Sequence, residues 1–230
     1  MQRRRNSGLA LPVAVLLVLV AVALGYVAYV LWPRWPQTPV EPNAPALPIT
    51  VAGTTFNVPP GAIRIPMQRQ AGAQERLDLA FLWPTLAPPA ASAVPAVPIK
   101  GMPRPKPLER IFVTIAAARD GLSPEERVSI IYPRYAESGP ASGPGGLALL
   151  PFRLGTPYHG EDLIYDDVAP TSFLVRCSRG TGPVPGMCLY ARRVGMADLT
   201  MRFPRDWLDD WRSVNDGIER LIAKLRPPGG

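Results

Sequence analysis

Arg76-Leu77-Asp78-Leu79-Ala80-Phe81-Leu82-Trp83 is the stretch that decides the fold. In an extended chain Leu77, Leu79, Phe81 and Trp83 fall on one side and Arg76 and Asp78 on the other. That period of two belongs to a half-buried strand. Pro84 stops it, because proline has no N–H to give to a ladder. Residues 110–117 repeat the pattern with Ile111, Val113 and Ile115. Residues 147–154 read as a further strand, and 172–177, 187–193 and 198–203 as a β meander. Nearer the start, residues 49–58 read as one β-branched strand closed by Pro59-Pro60-Gly61, with a short extended piece at 63–66.

Two helices complete the pattern. Ser123-Pro124-Glu125-Glu126 holds a capping residue, a proline at the first helical position and the glutamate of a capping box. Pro133 limits this helix to a few turns. The second is expected from Pro204 to about Leu225, with Trp207, Leu208, Trp211, Val214, Ile218, Leu221, Ile222 and Leu225 in one apolar stripe. Burying that stripe against the sheet is worth several kcal/mol at about 25 cal/mol per Å². Gly217 interrupts it at a cost of about 1 kcal/mol relative to alanine. The fold class is therefore α+β, a mainly antiparallel β domain with a short internal helix and a C-terminal amphipathic helix.

Ahead of the domain, residues 9–32 form one unbroken apolar run preceded by Arg3, Arg4 and Arg5. At about 1.5 Å per residue such a run gives roughly 36 Å of helix, enough to cross a bilayer core of ~30 Å. It continues past the small-residue site at Ala23-Leu24-Gly25 and is longer than a signal-peptide core, so an uncleaved signal anchor is expected. Tyr26, Tyr29, Trp32 and Trp35 cluster at its exit, where amphipathic rings favour the headgroup layer. The arginines assign residues 1–8 to the cytoplasm and everything after the span to the far side.

Pro33, Pro36, Pro39, Pro42, Pro45 and Pro48 then recur every third position, the repeat of polyproline II, which makes residues 33–48 a stand-off stalk of about 50 Å. Residues 49–230 are the outer domain. A second proline-rich stretch at 84–107 lacks a period and reads as a long exposed loop. Its basic half, with Lys100, Met102, Arg104 and Lys106, is the first candidate for binding a partner. The apolar stripe of the last helix, through Trp207 and Trp211, is the second, in the alternative that it docks a partner instead of covering the sheet.

The formal charge of +7 includes the three arginines before the span, and the remaining basic residues are scattered. No basic stripe for nucleic acid is present. Cys177 and Cys188 flank a Gly/Pro-rich loop between two strand-like segments. In an oxidising compartment they form a structural disulfide, worth about 3 kcal/mol for a loop of this size. With no Asn-x-Ser/Thr sequon, the compartment is read as a bacterial periplasm.

The chemistry-bearing residues are few. His159, the single histidine, precedes Glu161-Asp162 and Asp166-Asp167. A histidine beside carboxylates is the raw material of acid–base catalysis, so His159, Asp166 and Asp167 are the weak catalytic candidates. Residues 158–167 have a loop composition, in which adjacent acids are solvated. No metal-ligand spacing, nucleophile elbow or phosphate-binding loop occurs, and no cofactor or metal is expected. The expected protein is a single-pass inner-membrane scaffold, adaptor or accessory subunit that binds another envelope protein. The alternative is a small tethered hydrolase acting on cell-wall or lipid material.

Overall fold

A computed structural model of the chain describes residues 7–31, 40–41, 44–89, 109–118, 121–180 and 186–226. It divides into two units, residues 1–37 and 38–230. The first contains α1 (Ser7–Leu31). The stretch Pro12–Val30 is long and apolar enough to cross a membrane. Its side chains are exposed and apolar around the whole circumference, a pattern shared by membrane spans and signal sequences. Pro12 is the sixth residue of the helix, one turn past its start, so its missing N–H removes one bond of the ladder.

The second unit begins with a hairpin where one strand is expected. β1 (Leu47–Val51) and β2 (Thr54–Val58) pair antiparallel. Between them Ala52 and Gly53 take φ of 48° and 79°, the two-residue turn that matches strand twist. β-branched residues run on both sides of it, so the turn is hidden in a continuous β pattern. β3 (Gly72–Gln74) joins β1 in parallel and completes a three-stranded sheet. Pro48, counted above with the stalk, lies inside β1, but β3 pairs only from Ile49 onward. Its missing N–H therefore breaks no ladder on that side.

The large sheet is assembled from β4 (Arg76–Leu82), β5 (Arg110–Ala117), β6 (Ala141–Ser142), β7 (Ala148–Pro151), β8 (Glu161–Tyr165), β9 (Leu174–Ser178), β10 (Met187–Val194) and β11 (Ala197–Pro204). Its order is β4-β5-β11-β10-β9-β8-β7-β6, with every neighbouring pair antiparallel. Between β5 and β6 the chain forms α2 (Pro124–Ile130) and α3 (Tyr132–Tyr135). Ser123 and Glu126 close the capping box reciprocally at 3.1 and 2.7 Å. Pro133 ends α2 only indirectly: it opens α3, where the first turn has no use for its N–H.

The main core lies between the small sheet, one face of the large sheet and α4 (Trp211–Leu225). Leu77, Leu79 and Phe81 of β4 are fully buried there with Ile49, Phe56, Ile115, Ile218 and Leu221. A second cluster of Tyr132, Ala136, Phe152 and Leu163 lies under α2 and α3. Leu163 belongs to this cluster and Ile164 to the main one, so β8 is covered on both faces. Ile63 bridges Leu79, and the Arg64 N–H donates to the Asp78 carbonyl at 2.9 Å, so residues 63–64 lie along the outer side of β4. The molecule is an α+β protein with one N-terminal apolar helix, a mainly antiparallel β domain and a C-terminal helix.

Other expectations change as well. Residues 158–167 contain strand β8 rather than forming a loop, and Asp162 is buried instead of solvated. Asp78 keeps to the face opposite Leu77 and Leu79, but it is covered there, because Arg76 and Thr114 bond its carboxylate and Gln68 accepts from its backbone N–H. The last helix starts at Trp211, not Pro204. Residues Arg205–Asp210 form a tighter 3-10 turn, in keeping with three aspartates that favour turns over helix interiors.

Candidate functional site

Each candidate residue now has a place. The His159 ring is 3.0 Å from the Thr156 carbonyl through Nδ1. Asp166 accepts from the Val168 N–H at 3.2 Å and from Ser172 Oγ at 3.4 Å, bonds that shape the β8–β9 loop. His159 precedes β8 and Asp166 and Asp167 follow it, so about 16 Å of strand separates the histidine from the acids. This arrangement does not bring them together. Lys100, Met102, Arg104 and Lys106 lie outside the described residues.

Cys177 and Cys188 are directly opposite on β9 and β10, Cα atoms 3.9 Å apart and sulfurs at disulfide distance. Asp162 continues the same row on β8. Its carboxylate accepts from Arg179 Nε at 2.8 Å and Arg205 Nη1 at 2.7 Å. Two cations hold one buried carboxylate, which clamps the 178–179 and 204–205 segments beside the cysteines. This is a structural arrangement with both oxygens of the carboxylate occupied.

Trp211 points inward. Its ring packs on Phe173 at 5.2 Å, and Nε1 donates to the Gly145 carbonyl at 3.2 Å. A side chain so used packs the core. Trp207 is different. It stacks on Trp83 at 4.9 Å and on Phe203 at 5.9 Å, giving a ladder of three rings with Trp207 in the middle. Trp83 is carried at the end of β4, where its N–H donates to the Glu109 carbonyl at 3.0 Å, and a cis Trp83–Pro84 bond follows. The six-membered edge of the Trp83 ring rests on Gly217, where an added Cβ would come within 2.4 Å. The glycine that weakens the last helix is thus the seat of an indole.

Trp83, Pro84 and Trp207 line a cleft of about 460 Å³ with Asp206, Asp209 and Asp210 around it. The three aspartates are exposed, and none forms an ion pair among the described residues. Asp210 stands at the N-cap of α4 but its side chain caps nothing. The cleft therefore presents aromatic surface and negative charge outward, suited to holding a cation or a planar group by contact. The sequence marks Trp83 only as the inward end of a strand. The available signal was Asp206-Trp207-Leu208-Asp209-Asp210, an aromatic residue bracketed by acids.

A second cleft of about 380 Å³ lies between α2, β10 and α4, with Tyr190, Arg192, Glu125 and Glu219 at its wall. Arg192 and Glu219 pair across it at 2.6 Å. Burial pushes the Tyr190 phenol up from its ordinary value, so it stays a neutral hydroxyl. His159, Asp166 and Asp167 line neither cleft. Among the described residues no group of His, Cys, Asp and Glu is placed to hold a metal ion.

No protein-family model matches the sequence, and no curated protein matches it. Solved structures do share its shape. An immunity protein of the Stenotrophomonas maltophilia type IV secretion system aligns over 80% of this chain and 94% of its own, with TM-score 0.54 and 15% identity. The Neisseria meningitidis iron-regulated outer membrane lipoprotein FrpD aligns over 80% and 98%, at TM-score 0.37 and 9% identity. The first likeness establishes a shared fold; the second is too distant to argue from.

Proposed function

We propose that this chain is a single-pass envelope protein that works by binding another protein. In this reading residues 1–8 are cytoplasmic, α1 is an uncleaved anchor in the inner membrane and residues 33–46, up to the start of β1, are the spacer. The β domain stands in the periplasm. The observation that carries the binding role is the cleft at Trp83 and Trp207, where aromatic surface and unpaired carboxylates face outward. The separation of His159 from Asp166 and Asp167 supports the non-catalytic reading over the tethered hydrolase. A cysteine pair at disulfide distance suits an oxidising compartment. The structural neighbour named above is an immunity protein of a secretion system, and that fold-level analogy supports a non-catalytic envelope role without fixing the partner.

The test is photocrosslinking in intact cells. A crosslinking side chain at Ser213, an exposed residue lining the cleft, should trap one defined partner, and the same side chain at the remote, exposed Val168 should not. Equal trapping from both positions, or none from Ser213 with loss of phenotype in His159→Ala, would favour the hydrolase.

A further inference from the structure

The cleft at Trp83 has a chemistry specific enough to name what enters it. We propose that its occupant is an extended segment of the partner protein bearing arginine beside proline, an inference that rests on the protein-binding reading above.

Strand addition is disfavoured at this place, because residues 63–64 lie along the outer side of β4 at Asp78 and Leu79, and the Leu82 N–H next to the cleft already donates to the Ala87 carbonyl at 2.8 Å. A helix laid into a groove wants aliphatic walls, whereas this one is built from Trp83, Pro84 and Trp207 with a carboxylate rim. Aromatic walls suit a polyproline II segment, which arrives already extended and loses little freedom on docking.

The rim supplies the second half of the specificity. Asp206 and Asp209 are three residues apart on a 3-10 turn, so they lie on one face about 6 Å apart. One cation can sit between two carboxylates at that spacing. The macrodipole of α4 would favour acids here in any case, so charge alone would not carry the inference. The indoles add what the dipole does not explain. Trp207 has both faces covered, by Trp83 and Phe203, so the stacking contact falls to Trp83. A guanidinium is planar, packs on an indole and bonds a carboxylate through two N–H groups, so arginine fits better than lysine.

The test uses the full-length chain in non-ionic detergent and a fluorescent peptide, Pro-Pro-Arg-Pro-Pro-Arg-Pro, followed by anisotropy. Binding is expected in the range of about 10–100 µM at about 50 mM salt, weakening about tenfold at about 0.5 M. The peptide with glutamate for arginine should not bind, and the one with alanine for proline should bind more weakly. Joint Asp206→Asn, Asp209→Asn and Asp210→Asn substitution should weaken binding at least about tenfold with an unchanged melting profile. Should the triple variant melt early, Asp206→Asn alone should still weaken binding measurably. No binding at about 1 mM peptide, equal binding of the glutamate peptide, or indifference to the aspartate changes overturns the inference. Crosslinking at Ser213 separates the two readings. A trapped partner whose contact segment lacks arginine would keep protein binding and discard this occupant.

Discussion

Replacing Gly217 by alanine should destabilise this protein, although the same change in most helix interiors does the opposite. Glycine costs a helix about 1 kcal/mol relative to alanine, and alanine also restricts the unfolded chain. Against that gain, the new Cβ would stand 2.4 Å from Trp83 Cζ3 and 2.5 Å from Cη2. The ring would have to move outward by about 1 Å to regain ordinary contact. It cannot do so without disturbing the stack on Trp207, which is worth about 0.5–1.5 kcal/mol. Overpacking adds about 1–3 kcal/mol. After the propensity gain is subtracted, Gly217→Ala should lower stability by about 1–3 kcal/mol. For a chain of this size each kcal/mol corresponds to a midpoint shift of about 2–4 °C. Thermal unfolding followed by far-ultraviolet circular dichroism in detergent measures it. The decisive arm is the Trp83→Ala background, where the clash partner is gone and Gly217→Ala should stabilise by about 1 kcal/mol. A stabilising effect in both backgrounds would refute the seat proposed for the indole.

Two further outcomes follow from buried carboxylates. Asp162→Ala should cost about 2–4 kcal/mol in urea unfolding, because Arg179 and Arg205 lose their shared counter-ion, with some relief from their partial exposure. A cost under about 0.5 kcal/mol would show that the pairing contributes nothing. The hydrogen bonds from Arg76, more than any other cause, hold the Asp78 carboxyl below its ordinary value against the opposing effect of burial. Its stabilisation is complete above the unfolded carboxylate value of about 4 and disappears as pH falls through the lower folded value. The stability gap between wild type and Asp78→Asn should therefore close below about pH 4 and stay open above it; a gap that widens with acid would reverse the sign.

The strands that alternate were readable from sequence because one face of each meets the core and the period of two survives. Residues 76–82 and 110–117 are the clearest instances, and both pair as antiparallel neighbours. β8 was hidden for the opposite reason. It is covered on both faces, and one of its inward residues is Asp162, whose burial depends on arginines 17 and 43 residues away. No local pattern announces a partner at that distance. The hairpin at Ala52-Gly53 was missed because alanine seldom takes a positive φ, so the turn carries no strong chemical mark. The cleft was half legible: Trp207 was singled out, but its partner Trp83 comes from a strand end more than a hundred residues earlier, and only the folded sheet joins them.

The outer side of β4 is lined by residues 63–64, and the strand at the other end of the large sheet, β6, is only two residues long. On the anchored reading proposed above, copies tethered to one membrane would meet each other far more often than the same number free in a volume. Under that crowding an open row of backbone N–H and C=O groups would invite neighbouring copies to zip together. A sheet finished in this way withholds the template, so high density on a surface need not end in aggregation.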